Sequence, residues 1–241
     1  SFGQNGTISA AFFAAMFMAW QRAPVLAGIA LGLLAYKPQL AIVPAFVALW
    51  FGAWRILLAA AVTVAALALL SVAVDGAALW PAWLDAMASQ TQYVLDSRLP
   101  ARRMVTVFAL VKATTHSSTL AFALHAPVAV AALFAVVSVW RRSSDPFLRA
   151  ITLACATLSV PPYAFDYDAA ILLLPLGLLI AGGKDALAFT RPGRDWLVAL
   201  TVLPIATFPI ILVTDIHLMA PILGCALVAA WRADMRGIAA T

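Results

Sequence analysis

Long segments without a charged side chain recur along this chain and restrict its fold more than any other feature. Residues 56–74 and residues 118–140 contain no Asp, Glu, Lys or Arg. Hydrophobic residues make up 65% of the 241 residues and charged residues 10%, whereas soluble domains average about 45–50% and about 25%. A soluble core of this length cannot bury so much apolar surface. The chain is therefore predicted to be an all-α, polytopic transmembrane helical bundle.

About nine apolar segments are predicted to cross the bilayer, and a shorter one, Met104–Val111, is predicted to be an interfacial or re-entrant helix. All belong to a single membrane-embedded domain, residues 1–241, in which residues 75–118 form an extracytoplasmic loop with interfacial helices. The two cysteines, Cys155 and Cys225, lie in apolar segments and are interpreted as thiols rather than a disulfide. The predicted spans are Ile8–Trp20, Pro24–Tyr36, Leu40–Trp54, Ile56–Val74, Thr119–Trp140, Pro146–Val160, Ala169–Ile180, Trp196–Val213 and Ile216–Trp231.

The basic residues orient the predicted bundle, because cytoplasmic loops carry an excess of Lys and Arg. With the segment GQNG (residues 3–6) outside, ten of the 15 basic residues face the cytoplasm. This orientation requires that Met104–Val111 does not cross the membrane fully. It also explains the net charge of +5 without a nucleic-acid partner. The five basic residues on the outer side are Lys37, Arg98, Arg102, Arg103 and Lys112.

The unusual polar clusters all lie on the predicted outer side. A transporter is expected to place polar groups near the midplane of its helices, whereas these helix interiors are mostly Ala, Leu and Val. The pattern favours an enzyme that works at the outer interface; the alternative is a multi-span transporter or lipid-handling protein without catalysis. The clusters are GQNG, AYKPQL (residues 35–40), residues 75–103, PPYAFDYD (residues 161–168) and TDIH (residues 214–217).

Several of these residues also have a purely structural interpretation. Lys37, at a helix end, can extend its ammonium group to the lipid headgroups. Asp168 can be a helix N-cap, with Asp166 adding favourable charge near the helix N-terminus. The spacing of Gly28 and Gly32 is typical of close helix packing. Of the two carboxylates, Asp166 is predicted to be functional and Asp168 to be the cap, which Asn would replace without loss.

The functional interpretation joins the clusters into one site. Lys37 and the loop arginines suit a phosphate, because Lys supplies a point charge and Arg a planar fork of donors. A nearby carboxylate suits a hydroxyl acceptor, because attack on an activated sugar needs a general base. His116 and His125 show no metal-ligand spacing, so metal binding through them is not expected. No metal site and no cofactor are predicted.

Three motifs in this order resemble one protein family: GQNG before an apolar run, GLLAYKPQL (residues 32–40) and PPYAFDYD. The chain resembles glycosyltransferase family 87, the polyprenyl-phosphate-mannose-dependent α-mannosyltransferases of the membrane-embedded C-type fold. The resemblance implies a hexosyltransferase of the bacterial cytoplasmic membrane with its active face outside. Such an enzyme transfers mannose from a polyprenyl-phosphate donor to a glycolipid or glycan acceptor, with inversion.

In one respect the chain departs from the C-type pattern. Those enzymes usually carry the catalytic Asp or Glu in the first outer loop, after the first span, whereas this chain opens on SFGQNG. The chain is therefore expected to be an N-terminally truncated fragment, inactive alone if the base is missing, and Asp166 is the remaining catalytic candidate. The predicted partners are membrane lipids, the lipid-linked donor and the acceptor. The predicted substrate-binding residues are Gln4, Asn5, Tyr36, Lys37, Gln39, Arg102, Arg103, Tyr163, Asp166, Asp168 and His217.

Overall fold

A computed structural model of the protein describes residues 5–96, 103–181 and 218–239. Within these ranges the fold is all-helical, apart from one isolated antiparallel bridge between Met104 and Phe165. The predicted span Trp196–Val213 and the start of Ile216–Trp231 lie outside the described residues. The α-helices are α1 Gly6–Ala19, α2 Pro24–Leu34, α3 Pro38–Trp50, α4 Trp54–Asp75, α5 Leu79–Asp96, α6 Val107–Thr115, α7 Ser118–Arg142, α8 Pro146–Ser159, α9 Leu173–Ala181 and α10 Met219–Ala239.

Proline and glycine set several helix boundaries. α2, α3 and α8 each begin with a proline, which has no N–H to leave unpaired and a φ already suited to a helix. α3 ends before Gly52, whose φ of +65° lies in the left-handed region that glycine adopts readily. The predicted span Leu40–Trp54 therefore starts earlier and ends sooner than the sequence indicated.

α8 is the central helix of the bundle. All of its residues except Pro146 and Arg149 are buried, and it packs against α3, α7, α9 and α10. α4 is the opposite case, because Ile56 is its only buried residue. A helix that is apolar on every side and exposed in the isolated chain is suited to contact with lipid.

Two helices within the described residues, α4 and α7, are long and apolar enough to cross a membrane. Four shorter apolar helices, α1, α2, α3 and α8, have 11 to 14 residues, below the roughly 17–25 residues of a full crossing. The predicted number of nine spans is therefore not confirmed. α6 has nine residues, which is too short to span the membrane; the interfacial or re-entrant placement of Met104–Val111 stays a prediction.

The predicted span Ala169–Ile180 is not one α-helix. Residues Asp166–Leu172 form a 3-10 helix, and the α-helix α9 begins only at Leu173. Pro175 stands in the first turn of α9, where a backbone N–H has no partner within the helix. Deeper in a helix, the missing N–H of proline would remove a hydrogen bond. The proline explains why the α-helical geometry starts just before it.

α2 and α4 pack closely through the two glycines of α2. A Cβ atom at Gly28 would lie 2.5 Å from Ala59 Cβ, and one at Gly32 would lie 2.5 Å from Thr63 Cβ. No side chain fits in that space, so the helix-packing interpretation of this glycine pair is confirmed.

Candidate functional site

The candidate site lies at the end of the bundle where α1 and α3 begin, called the site end here. The 3-10 helix Asp166–Leu172 packs against the start of α1. A Cβ atom at Gly6 would overlap the carbonyl oxygen of Tyr167. Glycine at this position therefore allows the backbone of α1 to touch the backbone of the segment that carries both aspartates.

A second segment, residues 103–106, lies antiparallel to residues 162–165. Val105 N–H donates to the Ala164 carbonyl at 2.9 Å, and the Thr106 hydroxyl donates to the Pro162 carbonyl at 2.8 Å. These bonds fix the end of the predicted outer loop against the PPYAFDYD motif. As a result, Arg103 is held beside the 3-10 helix.

Lys37 and Asp168 form the buried ion pair of the site. Lys37 Nζ donates to Asp168 Oδ1 at 2.8 Å, with the Lys37 side chain 14% exposed and the Asp168 side chain 0% exposed. The interpretation of Lys37 as a residue that reaches to the headgroups is wrong here, because the buried carboxylate holds its ammonium group inside the protein.

Asp168 is not the N-cap of a helix, which corrects a second prediction. Phe165 is the N-cap of the 3-10 helix, and Asp168 stands three residues later. Its Oδ2 accepts the Phe165 N–H at 3.2 Å while Oδ1 holds Lys37. The carboxylate thus stabilises the helix start and neutralises a lysine at the same time.

Arg103 and Asp166 form a second, more exposed pair. Arg103 Nε donates to Asp166 Oδ2 at 3.1 Å, and Nη2 donates to Oδ1 at 3.2 Å. The side chains are 41% and 23% exposed. Asp166 Oδ1 also accepts the Tyr167 N–H at 2.7 Å. Both carboxylate oxygens are therefore engaged, and the guanidinium plane is held in one orientation.

Tyr167 lies between the two ion pairs. Lys37 Nζ is 4.5 Å and Arg103 Cζ is 5.9 Å from the centroid of its ring, within range of a cation–π attraction. The ring stacks on Phe165 at 5.4 Å with an interplanar angle of 5°. Burial raises the pKa of the Tyr167 hydroxyl; the charges of Asp168 and Asp166 raise it further, while Arg103 opposes them. Burial likewise raises the pKa of Tyr163.

Asn5 and Tyr36 meet at the edge of the site. The Tyr36 hydroxyl donates to the Asn5 carbonyl at 3.1 Å and lies 2.6 Å from the Ser9 hydroxyl. The Ser9 hydroxyl donates to the same carbonyl at 3.0 Å. The polar segment before α1 is thereby tied to the residue that precedes Lys37.

The other predicted site residues are placed differently or lie outside the described residues. Tyr163 packs edge-on against Phe108, with ring centroids 5.6 Å apart. This contact helps to hold α6 and the preceding residues 103–106 against the PPYAFDYD motif. Gln39 is half-buried in the first turn of α3. Three predicted residues fall outside the described ranges: Gln4, Arg102 and His217.

Sequence reasoning missed Tyr167 and Ser9. Tyr167 stands between the two aspartates of the DYD triplet, and this position was the available signal. Ser9 lies four residues after Asn5, one helical turn along α1. The contacts of Ser9 with Tyr36 and of Tyr167 with Lys37 and Arg103 join residues distant in the chain, so they do not follow from local spacing.

The arrangement suits the binding and charge stabilisation of an anion. An ammonium group has three N–H donors and a guanidinium group has five; one and two of these, respectively, are directed at the aspartates. The remaining N–H donors of Lys37 and Arg103 can bond a phosphate oxygen while the aspartates hold the two cations in place. Within the described residues, no group of three or more His, Cys, Asp or Glu side chains could hold a metal ion.

Comparison with known protein families gives one result. The model of glycosyltransferase family 87 matches residues 1–162. This range includes GQNG, AYKPQL and Arg103 and ends before Asp166 and Asp168. No curated protein and no solved structure matches the chain significantly.

Proposed function

Because the chain belongs to glycosyltransferase family 87, a family of membrane glycosyltransferases, we propose that it transfers a mannosyl unit from a polyprenyl-phosphate donor to a glycolipid or glycan acceptor. The transfer inverts the anomeric centre and takes place on the extracytoplasmic face of the bacterial cytoplasmic membrane. The observation that carries the proposal is the cluster of Lys37, Arg103 and Tyr167 with two aspartates at one end of an apolar bundle.

In this proposal the two cations stabilise the leaving phosphate. The acceptor hydroxyl attacks the anomeric carbon, the bond from that carbon to the phosphate oxygen breaks, and the hydroxyl proton passes to a general base. The phosphate gains negative charge as the bond breaks, and preorganised donors stabilise charge that develops in the transition state. Lys37 and Arg103 are such donors, since their aspartate partners already fix their positions.

Asp166 fits an orienting role in this scheme better than the role of base. As a base Asp166 would take up a proton and lose the negative charge that holds the Arg103 guanidinium. As an orienting group it keeps the Arg103 fork in the geometry that a phosphate requires. We therefore assign Asp166 to the positioning of Arg103.

The distribution of charge supports the proposed orientation. Among the described basic residues, Lys37, Arg103 and Lys112 lie in segments at the site end. The segments at the opposite end carry seven: Arg22, Arg55, Arg141, Arg142, Arg149, Arg232 and Arg236. The excess of arginine at the opposite end is typical of a cytoplasmic side. In this orientation the site end faces the outside of the cell.

The proposal is tested by a transfer assay in membranes that contain the protein. Labelled polyprenyl-phosphate mannose and a nucleotide-linked mannose are supplied separately, and the lipid extract is analysed for mannosylated products. We expect product from the lipid-linked donor alone, with the anomeric configuration inverted, and much less product with Asp166→Asn. Equal transfer from the nucleotide-linked sugar, or retention of configuration, would contradict the proposal.

A further inference from the structure

A second surface feature lies at the end of the bundle opposite the candidate site. α3 starts beside Lys37 and ends at Trp50, about 20 Å away at 1.5 Å per residue. Here α3 and α7 border an open groove with a volume of about 670 Å³, within the range of about 300–1,000 Å³ that small-molecule sites occupy. The groove is lined by Phe46, Trp50, Val130, Phe134, Arg141 and Arg142, among others.

The walls of the groove are apolar, and the side chains are exposed. Val130 and Phe134 are each 65% exposed, and Trp50 is 55% exposed. The wall from Val130 to Arg141 follows α7 for about 16 Å. This length is close to half of the roughly 30 Å hydrocarbon core of a bilayer, which is the depth of one leaflet.

The mouth of the groove carries one positive charge that is not neutralised. Arg142 Nε donates to Asp234 Oδ2 at 3.2 Å, and its Nη2 donates to the Ser138 hydroxyl, so this arginine is part of the link between α7 and α10. Arg141 is exposed and, within the described residues, has no ion-pair partner. The net charge of +1 at the mouth complements a single phosphodiester.

We propose that this groove binds one anionic phospholipid from the leaflet opposite the candidate site. One acyl chain lies along the apolar wall of α7, past Phe134 and towards Val130, and the phosphodiester accepts hydrogen bonds from Arg141. Trp50 lies at the level of the headgroup, a position that Trp commonly occupies at membrane interfaces. The bound lipid covers an apolar surface that no described part of the chain covers. This site is separate from the proposed donor site and does not depend on the proposed function.

The test is native mass spectrometry of the purified chain in a neutral detergent, titrated with phosphatidylglycerol or with zwitterionic phosphatidylcholine of the same chain length. We expect one phosphatidylglycerol to bind at least about tenfold more tightly than phosphatidylcholine, because its net negative charge complements Arg141, whereas the choline ammonium of phosphatidylcholine cancels the phosphate charge and is repelled by the guanidinium. Arg141→Gln should remove this preference. Val130→Trp fills the apolar part of the groove and should weaken the binding of both lipids.

Arg55→Gln is the matched control. Arg55 is exposed at the same end of the bundle, in the first turn of α4, and does not line the groove. This variant should keep the preference for phosphatidylglycerol. Equal binding of the two lipids by the unmodified protein, an unchanged preference in Arg141→Gln, or an equal loss in Arg55→Gln would each overturn the proposal. So would a protein dimer that occupies the groove and excludes lipid.

Discussion

The two aspartates of the DYD triplet differ in their burial, and this difference governs what each can tolerate. Asp168 has no exposed side-chain surface and faces a lysine that is 14% exposed, whereas Asp166 and Arg103 are both accessible to solvent. Exposed pairs contribute about 0–1 kcal/mol, while removing one partner of a buried pair costs about 3–5 kcal/mol. Burial therefore makes Asp168 the structural member, and the more accessible Asp166 is the one assigned a role in the proposed transfer.

Asp166→Asn and Asp168→Asn are expected to give opposite results. Asp166→Asn should lower mannosyl transfer by about tenfold to a hundredfold and change the free energy of unfolding by less than about 1 kcal/mol. Asp168→Asn should lower the free energy of unfolding by about 3 kcal/mol, because Lys37 loses its counter-charge. Transfer rates and denaturant unfolding of both variants check this. Equal stability of the two variants would contradict the assigned difference in burial.

The role of Lys37 needs a variant that does not leave a buried charge. Lys37→Ala alone leaves the buried Asp168 carboxylate without a partner and destabilises the protein. A loss of activity could then reflect either lost stability or lost phosphate binding. The double variant Lys37→Met with Asp168→Asn removes both charges and should recover most of the stability lost in either single variant. Its transfer activity should stay low if Lys37 binds the donor phosphate. Recovery of activity together with stability would leave Lys37 with a structural role alone.

Tyr167 makes stability depend on pH in the alkaline range. Its raised pKa means that the folded protein holds the phenolic proton more tightly than the unfolded chain, where the pKa of Tyr is about 10. This contribution to stability is complete below about pH 10 and is lost as the pH rises through the folded-state value. Tyr167→Phe should therefore show a smaller loss of stability above about pH 10 than the unmodified protein. Urea unfolding at a series of alkaline pH values measures the difference; parallel curves would contradict it.

At the scale of helices, the site depends on one backbone contact between α1 and the 3-10 helix. Gly6 has no room for a Cβ atom against Tyr167, whereas a Cβ atom at Gly177, in α9, meets no atom within 4 Å. Two glycines in helices of the same bundle thus predict opposite effects of the same substitution.

Gly6→Ala should destabilise the protein by about 1–3 kcal/mol, the usual cost of overpacking. It should also reduce transfer, because the 3-10 helix that holds Tyr167 must move. Gly177→Ala is the matched control, and it should be neutral or stabilising by up to about 1 kcal/mol, since alanine loses less backbone entropy in a helix. Thermal unfolding and the transfer assay compare the two. A fully active, stable Gly6→Ala variant would show that the contact is not required.

At the scale of the whole molecule, the bundle has two chemically distinct ends. The site end carries the paired Lys37 and Arg103 with both DYD aspartates. The opposite end carries seven of the described arginines and an aromatic cluster in which the ring centroids of Trp20 and Trp140 lie 4.9 Å apart. Separation of this kind is expected of a membrane protein whose two surfaces face different compartments.

Cysteine labelling in intact cells can test this separation. In a background with Cys225→Ser, which removes the exposed native thiol, Asn5→Cys should react with an impermeant maleimide added outside. Arg22→Cys, in the exposed turn after α1, should react only after the membrane is permeabilised. The buried Cys155 should stay unlabelled in both. Labelling of both sites from outside would contradict the proposed orientation.

The sequence by itself determined the class of fold and the boundaries of many helices. Apolar segments without charge specify helices in lipid, since a helix satisfies its own backbone hydrogen bonds. The Gly28–Gly32 spacing was also interpreted correctly, because local spacing decides such a feature. Membership of the glycosyltransferase family could be inferred from motif order, and the match over residues 1–162 agrees with it.

Only the tertiary structure decided which residues face one another. The pairing of Lys37 with Asp168 joins positions 131 residues apart. The contact of Gly6 with Tyr167 joins the start of α1 to the 3-10 helix, which is also remote along the chain. Such contacts depend on how whole helices pack, and no local pattern encodes them. The interpretation of Asp168 as an N-cap, and the structural alternative for Lys37 as a headgroup contact, were therefore based on the chemistry of each residue alone. Burial then reversed both interpretations, because a charge removed from water is stable only beside its partner.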